Sequence, residues 1–159
     1  MTQFKLGQTM RDRASGFTGI AVSRFDFLNG NIQYSLQPKA PEGATTLPEA
    51  VSFDIQQLEV VDAGISDSTS KPAHTPIRVG QKVKDTITGL TGVATMQATY
   101  MNGCVSFLVT PRRRLLREND AEWVSSVRLT AIDEKPAIEP PKSEKPTGGP
   151  PMRGVPRAA

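Results

Sequence analysis

The strongest constraint on this chain is that it carries one pattern twice. "SGFTGIAVSRFDFLNGNIQYSLQP" at 15–38 returns as "TGLTGVATMQATYMNGCVSFLVTP" at 88–111. Sliding the sequence by 73 residues superimposes ten identities within the 32 positions from 7 to 38: Gly7/Gly80, Gln8/Gln81, Asp12/Asp85, Gly16/Gly89, Thr18/Thr91, Gly19/Gly92, Ala21/Ala94, Asn29/Asn102, Gly30/Gly103 and Pro38/Pro111. Past the proline the offset falls to 71, pairing Ala50 with Ala121, Leu58 with Leu129 and Asp62 with Asp133. A duplication is the economical explanation. It divides the chain into a first copy (1–62), a linker (63–76), a second copy (77–133) and a tail (134–159).

Each copy reads as short strands. Only 37% of the residues are hydrophobic, so the cores must be small, and 13 Gly with 13 Pro favour turns over long helices. "VGQKVKDTITG" is expected to form a strand with Val79, Val83 and Ile87 at apolar intervals, repeated by Leu6 and Met10 in "LGQTMRDRASG". A hairpin follows in both copies. Asn29-Gly30 and Asn102-Gly103 are the strongest short turn signal and predict a type I′ turn, with positive φ at both central residues. The strand after it alternates, Ile32, Tyr34 and Leu36 being answered by Val105, Phe107 and Val109, so one face is core. The strand before it has apolar residues on both parities (Ile20, Val22, Phe25, Phe27), which predicts a bend or bulge. Gly16, Gly19, Gly89 and Gly92 bracket the entry to that strand, where positive φ or close backbone approach is expected. A last short strand, "LEVVD" or "LTAID", ends each copy.

"VGQKVKDTITGLTGVA" resembles the opening of KOW and Tudor-type SH3-like modules, in which a Gly-x-x-Val strand leads through a glycine-bracketed turn into a long bent strand. The stretch Asp85 to Cys104, with Asp12 to Asn31 as its partner, is also similar to short accessory proteins of tailed bacteriophages that carry the same turn followed by Tyr-[Leu/Met]-Asn-Gly-Cys. The first resemblance implies an all-β chain of two tandem SH3-like small barrels. The second implies a structural, protein-binding subunit of a virion, head-associated or decorating the capsid and assembled in the host cytoplasm. Viral capsid or tail proteins are then the expected partners, and further copies of the chain are another.

Little in the sequence points to catalysis, and no cofactor is expected. Asp12 and Asp85 are the carboxylates that the duplication retains inside the glycine motif; beside a Ser/Thr-Gly turn they are expected to accept backbone N–H bonds. Cys104 and His74 would form the sole nucleophile and base pair, but His74 has no counterpart in copy 1, so Cys104 is expected to be a small, buried, inert thiol. One Cys and one His leave no ligand set for zinc. The glycine spacings do not lead from a strand into a helix as a phosphate loop requires. Trp123 and Phe53 hold similar places before the last strand of each copy and are expected to pack in the cores, the other reading being the resemblance to KOW and Tudor modules, which implies an aromatic near the barrel rim that lines a binding groove.

Charge is uneven: −2 over 1–62, zero over 63–76, +3 over 77–133 and +2 over 134–159. The densest feature is "PRRRLLREND", with Arg112, Arg113, Arg114 and Arg117 in the place of "PKAPEGATTLP" in copy 1. Three readings stand side by side there: pairing with carboxylates of a protein partner, clamping of nucleic-acid phosphates, and a solvated loop balanced by Glu118, Asp120 and Glu122. Few aromatics interleave, which disfavours a single-strand binder. In the tail, seven of 26 residues are proline. An extended tail is expected to lie along a partner, with Met152, Arg153 and Arg157 as contacts. The first ten residues lack a basic-then-apolar leader pattern and no stretch has the length of an apolar span, so no membrane association is expected.

Overall fold

The computed structural model describes residues 4–111 and 120–133. Copy 1 supplies β1 (Thr9–Asp12), β2 (Thr18–Phe27), β3 (Ile32–Gln37), β4 (Val51–Asp54) and β5 (Leu58–Asp62). Copy 2 supplies β6 (Lys82–Asp85), β7 (Thr91–Tyr100), β8 (Val105–Thr110), β9 (Glu122–Ser125) and β10 (Leu129–Ala131). A 3-10 turn joins the fourth strand to the fifth in each copy, at Ile55–Gln57 and Ser126–Arg128. The all-β expectation holds. In each copy the strands pair antiparallel in the order fifth, first, second, third, fourth. The ladder is open, because the fourth strand does not pair with the fifth.

Local sequence accounts for most of this. β8 alternates strictly, with Val105, Phe107 and Val109 buried, and β3 buries Tyr34 and Leu36. Around them lie two separate cores: Met10, Ala21, Tyr34, Leu36 and Leu58 in copy 1, and Val83, Ala94, Phe107, Val109, Val124 and Leu129 among those of copy 2. The mixed parity of the long strands is resolved by a bulge. The register of β2 on β3 slips between Ala21 and Ser23, and that of β7 on β8 between Ala94 and Met96. One extra residue switches which parity faces inward.

The glycine pairs divide two tasks. Gly16 and Gly89 both take φ of 77°, the left-handed region that other residues avoid. Gly19 and Gly92 are needed for space: a Cβ would stand 2.7 Å from the Gln37 carbonyl oxygen or 2.6 Å from that of Thr110. The strand expected from Val79 to Ile87 is shorter, Lys82–Asp85, and Ile87 is exposed because the chain has already turned at Asp85.

The hairpins differ from the type I′ expectation. Gly30 and Gly103 have positive φ (84° and 85°), but no non-glycine residue among those described does, so φ is not positive at Asn29 and Asn102. Gly30 N–H donates to the Phe27 carbonyl and Phe27 N–H to that of Asn31, a three-residue loop closed by glycine; Gly103, Tyr100 and Cys104 repeat it. The asparagines act through their side chains instead. Asn29 Oδ1 accepts from Asn31 N–H at 2.9 Å and Asn102 Oδ1 from Cys104 N–H at 3.0 Å.

Candidate binding cleft between the two copies

The copies are joined by backbone pairing. β1 covers only the first part of β2's edge, Thr18 to Ile20, and the remainder pairs antiparallel with β7, from Ser23↔Tyr100 to Phe27↔Met96. Leu28 N–H extends the seam to the Thr95 carbonyl at 3.0 Å. Under the 73-residue equivalence the paired residues exchange with each other: Arg24↔Thr99 becomes Gln97↔Asp26, and Phe25↔Ala98 lies on the local two-fold axis. The duplication is thus an internal pseudo-dimer of the isologous kind.

Alternation gives the seam two unlike faces. One carries Phe25, Phe27, Met96, Ala98 and Tyr100. Over it lies Trp123 of β9, its ring 6.2 Å from that of Phe25 in the other copy. Trp123 is 45% exposed, which corrects the expectation of a core residue. Register explains the error. Phe53 stands opposite Tyr34 and Val124 opposite Phe107, so the core counterpart of Phe53 is Val124, and Trp123 is one residue earlier on the opposite face. Phe53 itself is half-buried, 5.3 Å from Phe17.

The other face is polar and forms the base of a cleft of about 870 Å³. Arg24 and Asp26 come from β2, Gln97 and Thr99 from β7. The sides are equivalent segments of the two copies: Phe4-Lys5-Leu6 and Ile77-Arg78-Val79, offset by the same 73 residues. Thr69 to Pro72 of the linker and the ring of Tyr34 complete the lining. Arg24 bonds Asp26 at 2.8 Å and lies 6.0 Å from the Tyr34 ring centre. Burial is the largest single influence on Arg24 and works against its charge, but the hydrogen bond and charge of Asp26, together with Tyr34, outweigh it and raise its pKa. Burial raises the Tyr34 pKa, so its hydroxyl stays protonated. Lys5, Lys71 and Arg78 are exposed and have no side-chain partner among the described residues.

The linker is held to both copies. Ile65 N–H donates to the Gly7 carbonyl, Ser70 N–H to Met101 and Ala73 N–H to Gly103, and a 3-10 turn forms at Ser66–Ser68. Gly103 allows this approach, since a Cβ there would be 2.5 Å from the Lys71 carbonyl oxygen.

Asp12 and Asp85 accept turn hydrogen bonds, in buried positions. Asp12 takes Ser15 Oγ–H and the N–H groups of Ser15 and Ala14; its pKa falls below the ordinary value, first through the Ser15 hydroxyl. Asp85 takes Thr88 Oγ–H and Ile87 N–H and forms an ion pair with Arg128, which holds its carboxyl far below the usual range. Every acceptor oxygen is thus engaged by the fold. Cys104 is exposed, a correction to the expected buried thiol: it follows the turn glycine on the outward parity, while Val105 enters the core. His74 is exposed in the linker, and no group of three His, Cys, Asp or Glu able to hold a metal occurs among the described residues. Arg112, Arg113, Arg114 and Arg117, and Met152, Arg153 and Arg157 of the tail, lie outside the described residues.

The cleft escaped sequence reading because each of its sides looks like an ordinary strand approach. A usable signal was present in the apolar-basic-apolar triplets "FKL" and "IRV" at equivalent positions. Comparison with protein-family models, with curated proteins and with solved structures gives no match.

Proposed function

We propose that each copy is an SH3-like barrel module and that the chain is a non-enzymatic, protein-binding accessory subunit of a bacteriophage particle, attached to the head, with the Pro-rich tail extended along a partner. The β2–β7 seam carries this reading: it fuses two small modules into one body with composite surfaces that neither copy has alone. Strand order, the 3-10 turn between the fourth and fifth strands and the bulged second strand support the SH3-like assignment. Buried carboxylates consumed by turn hydrogen bonds suit a scaffold better than a catalyst. The alternative, nucleic-acid binding through Arg112 to Arg117, predicts affinity that falls steeply with salt and disappears when these arginines become alanine.

Mass spectrometry of purified particles tests the first reading. The expected result is a stoichiometric copy number, reduced when residues 134–159 are deleted. Absence of the intact chain from purified particles overturns it.

A further inference from the structure

We propose that the cleft between the copies binds an extended acidic peptide segment of a partner protein, in which carboxylates alternate with apolar side chains. This rests on the protein-binding reading above and names the partner's chemistry. Three observations point to it. First, the cleft has cations without side-chain partners among the described residues: Lys5 and Arg78 on opposite sides and Lys71 at the linker, while Arg24 already has Asp26. A ligand that brings carboxylates satisfies them, and a cationic one meets repulsion. Second, each side sets its cation beside apolar residues that are only partly buried, Phe4 and Leu6 on one side and Val79 on the other, whereas Ile77 belongs to the core of copy 2. A segment with side chains alternating about its backbone places apolar groups and carboxylates at the same short intervals. A phosphodiester chain instead needs a continuous basic track and exposed rings for stacking, and of the two rings that line the cleft Tyr34 is only 1% exposed and Phe4 is half-buried. Third, the volume of about 870 Å³ lies within the range of small-ligand pockets, room for a few side chains of a bound segment.

The pseudo-symmetry makes the inference specific. Lys5 and Arg78 are equivalent positions on the two sides, so loss of either should weaken binding to a comparable degree.

The test uses the full chain on an array of roughly ten-residue peptides alternating Glu or Asp with Leu, Ile, Val or Phe. The best peptide is then measured by fluorescence anisotropy in about 50 and about 300 mM salt. We expect saturable binding with Kd below about 1 mM, weaker at the higher salt. Lys5→Glu/Arg78→Glu should lose at least about tenfold, and each single change a smaller factor, the two within about twofold of each other. Lys39→Glu, on an exposed loop outside the cleft, should change nothing. Lys5→Gln/Arg78→Gln replaces the charge-reversed pair if its thermal melt differs from that of the parent chain. The inference is overturned if no array member binds, if both double variants bind like the parent, or if an oligothymidine of similar length binds more tightly than the best peptide. Loss of peptide binding with the variant still present in purified particles removes the cleft's role and leaves the accessory reading standing. Peptide binding without any chain in particles does the reverse.

Discussion

Copy 1 and copy 2 solve the same local problem with different donors. Asp12 and Asp85 are both almost fully buried at the end of the first strand, below the same glycine turn. In copy 1 the carboxylate is satisfied by Ser15 and backbone N–H groups; in copy 2 Thr88 replaces Ser15 and Arg128 is added from the 3-10 turn. The position equivalent to Arg128 in copy 1 is Gln57, whose carbonyl accepts the Arg13 N–H at 2.9 Å, as that of Arg128 accepts from Thr86 at 2.8 Å. Backbone geometry is kept while side chains drift. What a buried carboxylate requires is a full set of donors, and which residues supply them is open to change.

The largest effect should come where the copies are most alike. Gly19→Ala and Gly92→Ala each drive a methyl into a strand carbonyl, and each is expected to destabilise by about 3 kcal/mol or more. Urea unfolding measures this, and a large inequality would break the equivalence of the copies at that corner.

The acid limb of stability should separate them. Both aspartates have folded pKa values below the unfolded one, so they stabilise the fold above the ordinary value of 3.8 and lose that contribution as pH falls through it towards the folded values. Asp85→Asn should therefore flatten the loss of stability below about pH 5 more than Asp12→Asn does. Arg128→Met should bring Asp85 nearer to the behaviour of Asp12. Thermal melts between pH 2 and 7, roughly the range of carboxylate linkage, check both; equal effects of the two Asp→Asn changes would remove Arg128 from the account.

Contact across the seam is expected to be smaller. A double-mutant cycle on Phe25→Ala and Trp123→Ala should give a coupling of about 1 kcal/mol, the ring pair being partly exposed. In hydrogen exchange, the amides that bond across Ser23 to Phe27 and Met96 to Tyr100 should be protected as strongly as those between β2 and β3. Fast exchange confined to that seam would mean that the copies part in solution.

The smallest effect belongs to the residue that distinguishes the hairpins. Asn31 bonds Asp54 at 2.8 Å, an arrangement that Cys104 and Ser125 at the equivalent positions do not form. Asn31→Ala should cost about 0.5–1 kcal/mol. Cys104 should be alkylated in the native protein at the rate of a free thiol, with no change in melting temperature; a blocked thiol would contradict its exposure.

Much of the fold was legible because its determinants are short-range. Asp12, Gly16 and Gly19 announce the turn, Asn29-Gly30 the hairpin, and Val105, Phe107 and Val109 a half-buried strand. The expectation for Trp123 failed on a slip of one residue, which an alternating strand converts into the opposite face. The expectation for Cys104 failed because frequent burial of the residue type carried more weight than its place at a turn. Within the candidate site, Lys5 and Arg78 were marked only by the matching triplets around them, and Arg24 had no mark in the sequence beyond its charge.

The sequence by itself determined the duplication, the strands, the turn positions and the two cores, since each depends on residues within a few positions or on a period-two pattern. Only the tertiary structure decided that β2 and β7 join edge to edge, that the linker lies along the second hairpin, and that two basic triplets 73 residues apart face one cleft. The reason is physical. Edge pairing is made by backbone N–H and C=O groups, which every residue but proline supplies, so an uncovered strand edge leaves almost no trace in the side chains that a sequence records.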